Sequence, residues 1–294
     1  MKICAGIVLY NPDIKRLKKC IDVIKPQTEQ LIIIDNASNN ISEIQNEFAD
    51  EKITWILNKE NSGIAKALNQ LTDYADSEGY EWILTLDQDS ICETGLVEKM
   101  CAAVNAGKNK NIAMVSPIII DRGLIDCGRT DNETSENEHL PETEEIKFCI
   151  TSGCLTNIKA INETGGFNDW LFIYDVDREI CIRLLRKGYK IIKSNNAALY
   201  HEHGEKTVIK KVFRKKIVYH NYSPISVYYM TRNLVYMLRK YGSEYSPHPT
   251  LRWIRLFFAF CVKFIFEHDR IPRLKSFSKG IKDGFKVKIN DNQR

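Results

Sequence analysis

The sequence predicts an α/β protein built on a sheet of buried parallel strands with helices on both faces. Three observations carry this. Short apolar runs recur at 3–10, 31–34, 53–57, 82–86 and 112–116. Amphipathic helical patterns alternate with them. The runs are too apolar to keep one face in water, as expected of parallel strands covered on both sides. The 294 residues, 44% of them apolar, suit one large domain with an appendage, or two small domains.

The first strand stops at Asn11-Pro12. Asp13 is placed to cap a helix whose apolar positions Ile14, Leu17, Cys20, Ile21 and Ile24 keep helical spacing. The second strand ends in Asp35-Asn36, a helix follows near 41–48, and the third strand closes at Asn58. Ser62-Gly63 opens a helix carrying Ile64, Ala67, Leu68 and Leu71. The fourth strand runs into Asp87-Gln88-Asp89, and a helix over 94–106 leads to the fifth.

Ligands of such sheets sit beyond the carboxyl ends of the strands. Tyr10, Asn11, Asp35, Asn58, Asp87 and Asp89 gather there. Residues two apart at a strand end point to one side, so Asp87 and Asp89 can meet one cation; a solvated Asp-x-Asp turn is the plainer alternative. Two carboxylates leave the rest of a Mg²⁺ or Mn²⁺ shell to water and diphosphate oxygens. No GxGxxG follows the first strand and no GxxxxGK[ST] is present, which counts against dehydrogenases and P-loop enzymes.

After Pro117 the alternation breaks. Residues 118–125 read as a hairpin about Arg122-Gly123, and the acidic stretch 130–145 as a loop near the site. Gly165-Gly166-Phe167-Asn168 is a turn, and the next helix runs to Lys187 and stops at Gly188. Its start carries Asp175, Asp177 and Glu179. These either complement the helix dipole or supply a proton acceptor. Helical period groups Asp175 with Glu179 and turns Asp177 about 200° away, without saying which faces a cleft. Strands at 190–193 and 197–200 lead to His201-Glu202-His203-Gly204, where a histidine either joins the Asp89 site or bonds within its loop.

Beyond 206 the chain turns basic, with a helical pattern over 226–240 and an aromatic, basic stretch over 251–266. That stretch is too short and too charged to span a bilayer; it suits either a membrane interface or a packed helix. A net charge of +4 makes no case for nucleic acid. Nine cysteines without CxxC pairs fit reduced thiols in a cytoplasm, and Met1 to Gly6 lacks a signal-peptide core.

Four blocks together resemble a known family. They are Ile7-Val8-Leu9-Tyr10-Asn11-Pro12, Ile34-Asp35-Asn36-Ala37-Ser38, the run from Asn58 through Ser62-Gly63-Ile64-Ala65-Lys66 to Asn69, and Leu86-Asp87-Gln88-Asp89-Ser90. A fifth is Val176-Asp177-Arg178-Glu179 with Cys181, Arg183 and Gly188-Tyr189. The chain resembles the inverting family-2 glycosyltransferases of the GT-A fold, within the bacterial rhamnosyltransferase-like branch. The resemblance implies a Rossmann-like mixed sheet flanked by helices over residues 1–205, with a helical extension over 206–294.

It also implies roles. Tyr10, Asn11, Asp35, Asn58, Gly63, Asn69 and Asp87 would hold the nucleotide, with Gly63 admitting its backbone and opening a helix that favours an anion. Asp89, with Asp87 and His201, would hold Mn²⁺ or Mg²⁺. Asp177 aligns with the family's base, with Asp175 competing and Glu179 beside them in the acidic helix; the Glu usual before the base is Val176 here.

The implied donor is dTDP-L-rhamnose, or else a UDP-linked galactose or N-acetylglucosamine. The implied acceptor is a glycan, polyprenol-linked in one reading, at the inner face of the plasma membrane. A homo-oligomer is allowed. A pyrophosphorylase-like nucleotide enzyme and a catalytically silent nucleotide-binding scaffold are the readings from other classes.

Overall fold

The computed structural model describes residues 1–49, 51–106, 111–121, 141–201, 207–212, 215–220, 222–254 and 270–289, with backbone alone for 121, 201, 207–212 and 215–220. Strands β1 (Ile3–Leu9), β2 (Gln30–Asp35), β3 (Ile53–Leu57) and β4 (Trp82–Asp87) form the parallel half of one sheet, in the order β3-β2-β1-β4. The alternation of β1 divides the core. Ile3, Ala5, Ile7 and Leu9 face helices α1 (Ile14–Ile24), α2 (Ile41–Glu47) and α4 (Leu96–Ala106). Cys4 and Val8 face α3 (Gly63–Ser77) and the later helices. Gly6 lies on that second side because a Cβ there would stand 2.8 Å from Leu71. Asp13 caps α1 as expected, accepting from the Arg16 amide at 3.0 Å.

The other half of the sheet departs from the parallel strand pattern and bears out the mixed sheet that the resemblance implies. Strand β6 (Ile112–Asp121) does not lie beside β4. The four-residue β8 (Cys154–Asn157) sits between them and runs antiparallel to both. Strand order is a property of distant pairings, and a Cys-Leu-Thr-Asn segment has too little pattern to announce them.

The strands expected at 190–193 and 197–200 are one strand, β9 (Lys190–His201), parallel to β6. Its register shifts between Ser116 and Ile118, where Pro117 has no N–H for the ladder. Part of the expected acidic loop is also a strand: β7 (Thr143–Ile146) pairs with Ile191 to Ser194 of β9. The far end of β9 pairs with β5 (Ile91–Cys92). Of the expected hairpin, 118–121 continue β6 and 122–125 lie outside the described residues; so do 130–140 of the loop.

Two helices complete the face opposite α1: α5 (Ile158–Thr164), not expected from the sequence, and α6 (Val176–Arg186). Beyond β9 come an antiparallel hairpin, β10 (Thr207–Val212) with β11 (Lys215–His220), and helices α7 (Pro224–Tyr241) and α8 (Arg270–Lys286). Leu234, Tyr236, Met237, Leu238 and Tyr241 of α7 share one buried cluster with α3 and α6, so this helix is packed into the core. Of the aromatic stretch, 251–254 are helical and 255–266 lie outside the described residues.

Candidate active site

The parallel registers bring the strand ends to one edge: Leu9 stands beside Asp35, Val8 beside Asp87, and Asp35 beside Leu57. Asn11, in the left-handed region at φ 49°, turns the chain there. Its amide donates to Ser38 Oγ at 2.8 Å and its side-chain oxygen accepts from the Asn39 amide at 2.8 Å. Tyr10 leaves its side chain half exposed, and its amide donates to Gln88 Oε1 at 2.8 Å. The middle residue of Asp87-Gln88-Asp89 thus straps that turn to the end of β1.

Asp35 is 2% exposed. Its Oδ2 accepts from the Ser38 amide at 2.9 Å, while Oδ1 has no hydrogen-bond partner among the described residues. An orphaned buried acceptor costs about 1–3 kcal/mol, and a ligand N–H would relieve it.

Opposite this edge, the turn Thr151-Ser152-Gly153 ties β4 to α6. Thr85 Oγ1 donates to the Thr151 carbonyl at 2.6 Å, and the Gly153 amide to the Thr85 carbonyl at 2.7 Å. Ser152 Oγ accepts from the Asp87 amide at 3.0 Å and lies 2.9 Å from Ser90 Oγ. Thr151 Oγ1 donates to Asp177 Oδ1 at 2.8 Å.

One short turn therefore holds both Asp87 and Asp177. Burial pushes the Asp87 carboxyl up to about 6, helped by the charge of Asp89 and opposed by Ser152. Burial likewise pushes Asp177 up to about 6, with Thr151 opposing and the charge of Asp87 adding. None of the three aspartates has an ion-pair partner among the described residues. No motif in the sequence singles out Thr151 and Ser152 as site residues.

Asp177 follows an irregular turn. Phe172, Tyr174 and Asp175 all take positive φ, at 64°, 65° and 58°. Left-handed backbone costs a non-glycine residue roughly 1–2 kcal/mol, so something must hold it. The clamp is on α7. The amide nitrogen of the fully buried Asn233 donates to the carbonyls of Leu171, Ile173 and Tyr174 at 3.0, 2.7 and 2.9 Å. Arg232 donates to the carbonyls of Trp170 and Leu171. Asp175 Oδ1 accepts from Tyr245 OH at 2.8 Å and borders a cavity of about 670 Å³ with Tyr174, Met230, Leu234, Leu251 and Arg252. Burial raises the Asp175 carboxyl, against the pull of Tyr245, Arg252 and Arg178.

Comparison with known proteins settles the family. Residues 4–165 match the model of Glycosyl transferase family 2. Over 246 residues the chain is 31% identical to the dTDP-rhamnosyl transferase RfbF of Shigella flexneri, covering 81% of this chain and 80% of that one. The chain belongs to glycosyl transferase family 2.

This glycosyltransferase shares its fold with crystal structures of low identity. GalNAc-T7 with UDP, GalNAc and Mn²⁺ superposes at a TM-score of 0.61 with 14% identity, over 96% of this chain and 54% of that one. TarS 1–349 of S. aureus in complex with UDP-GlcNAc superposes at 0.59 with 12% identity, over 97% and 80%. The architecture is thus the GT-A one, with a mixed sheet and carboxy-terminal helices.

Several expected contacts of the glycosyltransferase are taken by its own residues. Gly63, at φ 84°, does not open its backbone to a ligand: a Cβ there would lie 2.6 Å from the Phe172 ring and carbonyl. The start of α3 is not free for an anion either. The Gly63 amide donates to Asn61 Oδ1 at 2.9 Å, and the Phe172 carbonyl accepts from the amides of Ile64 and Ala65 at 2.7 and 3.3 Å.

Asn69 is consumed by the 167–169 turn, donating to the Phe167 carbonyl and Asp169 and accepting from the Phe167 amide. Asn58 gives both amide hydrogens to Asn36 and Gln70.

Glu179 lies away from the cleft, fully buried. It accepts from Arg183 Nε at 2.8 Å and Tyr241 OH at 2.6 Å, with Lys240 at 3.6 Å. Helical period turned it away from Asp177, and the ion pair explains why a carboxylate is tolerated there. His201 ends β9 one residue beyond Tyr200, which pairs with Ile91, two residues after Asp89 in the chain; the His201 side chain lies outside the described residues.

Proposed function

We propose that this glycosyltransferase transfers L-rhamnose from dTDP-L-rhamnose to a hydroxyl of a glycan acceptor, with inversion at C1 and with Asp177 as the base. The single observation that supports the base assignment is the Thr151-Ser152 bridge, which ties Asp177 and the Asp87 backbone to neighbouring residues of one turn. The donor rests on the likeness to RfbF.

In this reading the acceptor oxygen attacks C1 while its proton passes to Asp177. The C1–oxygen bond to the diphosphate breaks, and dTDP leaves. A base with a pKa near 6 is ionised at neutral pH yet a better acceptor than an ordinary carboxylate. Thr151 aims its carboxylate. Asp35 offers its unpartnered Oδ1 to the ring N–H of the base, beside the Tyr10-Asn11 turn. Asp87 and Asp89 are oxygen donors with no ion pair among the described residues, a set that fits a hard divalent cation. Mn²⁺ or Mg²⁺ held there would offset charge on the departing diphosphate, with His201 the further ligand that the sequence suggests. Asp175, bonded to Tyr245 and bordering the 670 Å³ cavity, would position the acceptor in this reading.

Asp177→Asn should lower transfer by about 10²–10⁴-fold while leaving dTDP affinity, measured by calorimetry, within about twofold. Loss of dTDP binding instead, or an equal loss of turnover in Asp175→Asn alone, would reassign the base. A screen of slow donor hydrolysis across dTDP- and UDP-sugars tests the donor, and preferential hydrolysis of a UDP-sugar would overturn the rhamnose assignment.

A further inference from the structure

Helix α8 has three distinct faces. Arg273, Phe277, Gly280 and Gly284 are buried. A Cβ on Gly280 would lie 2.7 Å from the Tyr228 carbonyl, and one on Gly284 2.7 Å from that of Arg232, so this face is closed against α7. The same register, rising together along both helices, makes α7 and α8 parallel. A second face holds Ile271, Leu274 and Phe285, exposed by 67%, 43% and 54%, with half-buried Ile281 among them. At 3.6 residues per turn these four fall within an arc of about 80°. A third face, adjoining the second, holds Lys275, Lys279, Lys282 and Lys286 within about 60°, all exposed. Ile225, 64% exposed at the start of α7, stands at the Ile271 end.

Exposed apolar residues scattered singly mean nothing, but an aligned stripe beside a row of lysines is a pattern. Lys275, Lys282 and Lys286 have no ion pair among the described residues. The helix carries six basic residues, and its one acid, Asp283, already accepts from Tyr228 OH at 3.0 Å. A second copy of this chain would bring lysine rows together. We infer that this side of the protein rests on an anionic lipid surface, the apolar stripe entering the headgroup layer and the lysines lying over lipid phosphates. No described helix is long and apolar enough to cross a membrane, so the contact is peripheral. The inference does not rest on the sugar-transfer reading.

The test is co-sedimentation of the full chain with phosphatidylcholine vesicles, with and without phosphatidylglycerol. Binding should require phosphatidylglycerol and weaken with added salt. Ile271→Glu with Leu274→Glu, both at exposed positions, should lower the bound fraction about tenfold; Lys275→Glu with Lys282→Glu should do the same, and serves if the first pair fails to fold. No binding, equal binding to neutral vesicles, or binding untouched by both pairs would overturn the inference. So would lipid-free self-association, seen by sedimentation velocity, that the first pair abolishes; that result would assign the face to a second copy.

Discussion

On one side of the candidate site, Asp35 and Asp87 stand on strand ends held by parallel ladders that begin within the first ninety residues. On the other, Asp175 closes and Asp177 follows a turn with three left-handed residues, held by Arg232 and Asn233 some sixty residues later. The first side is rigid because regular secondary structure makes it so. The second is irregular backbone that persists only because another helix supplies hydrogen bonds that water would otherwise offer. A reaction that binds one substrate part by shape and moves a proton at another needs both, and they should fail separately.

Asn233→Leu should separate them most sharply. It removes the side-chain amide shared by three carbonyls and the oxygen that accepts from Arg232, leaving buried polar groups unpaired, for a loss of roughly 3–5 kcal/mol in chemical denaturation. Below the new transition, turnover should fall while dTDP binding persists. Binding lost from a folded variant would show that the donor side depends on the clamp as well.

Gly63→Ala strikes where the two sides meet, forcing a side chain at φ 84° against Phe172. A destabilisation of about 2–4 kcal/mol is expected in thermal unfolding, with loosened hydrogen exchange in 171–175 before the β1–β4 core.

The pH dependence is the next test. Burial pushes the Asp177 carboxyl up to about 6 from its ordinary 3.8, and the base proposed for Asp177 works in its ionised form. Turnover should therefore rise with pH through about 6 and fall about tenfold per unit below it. A pKa raised on folding also makes stability from this group greatest below about 4 and lost as pH rises to about 6; Asp177→Asn should flatten that slope. An acid limb near 4 would contradict a buried base. Tyr245→Phe should do least: it removes one hydrogen bond to Asp175, for about 1 kcal/mol of stability and a rise in acceptor KM with donor KM unchanged.

Much of the strand-end side could be read without coordinates. The apolar runs, the Asp13 cap and the strand-end aspartates depend on local pattern, and local pattern is what periodicity reports. The same reading overreached at Gly63, Asn69 and Asn58. A residue's type says what it can bond, while its partner is chosen by what the fold brings near, here Phe172, Phe167 and Gln70.

Among the acids of α6, helical period separated Glu179 from Asp177 but could not say which side was the cleft. That was decided by Arg183 and Tyr241 closing on one and Thr151 reaching the other. The place of β8 and the clamp from α7 likewise arose from pairings between segments far apart in the chain. Such pairings are set by the whole packed core, so no single stretch of residues carries them.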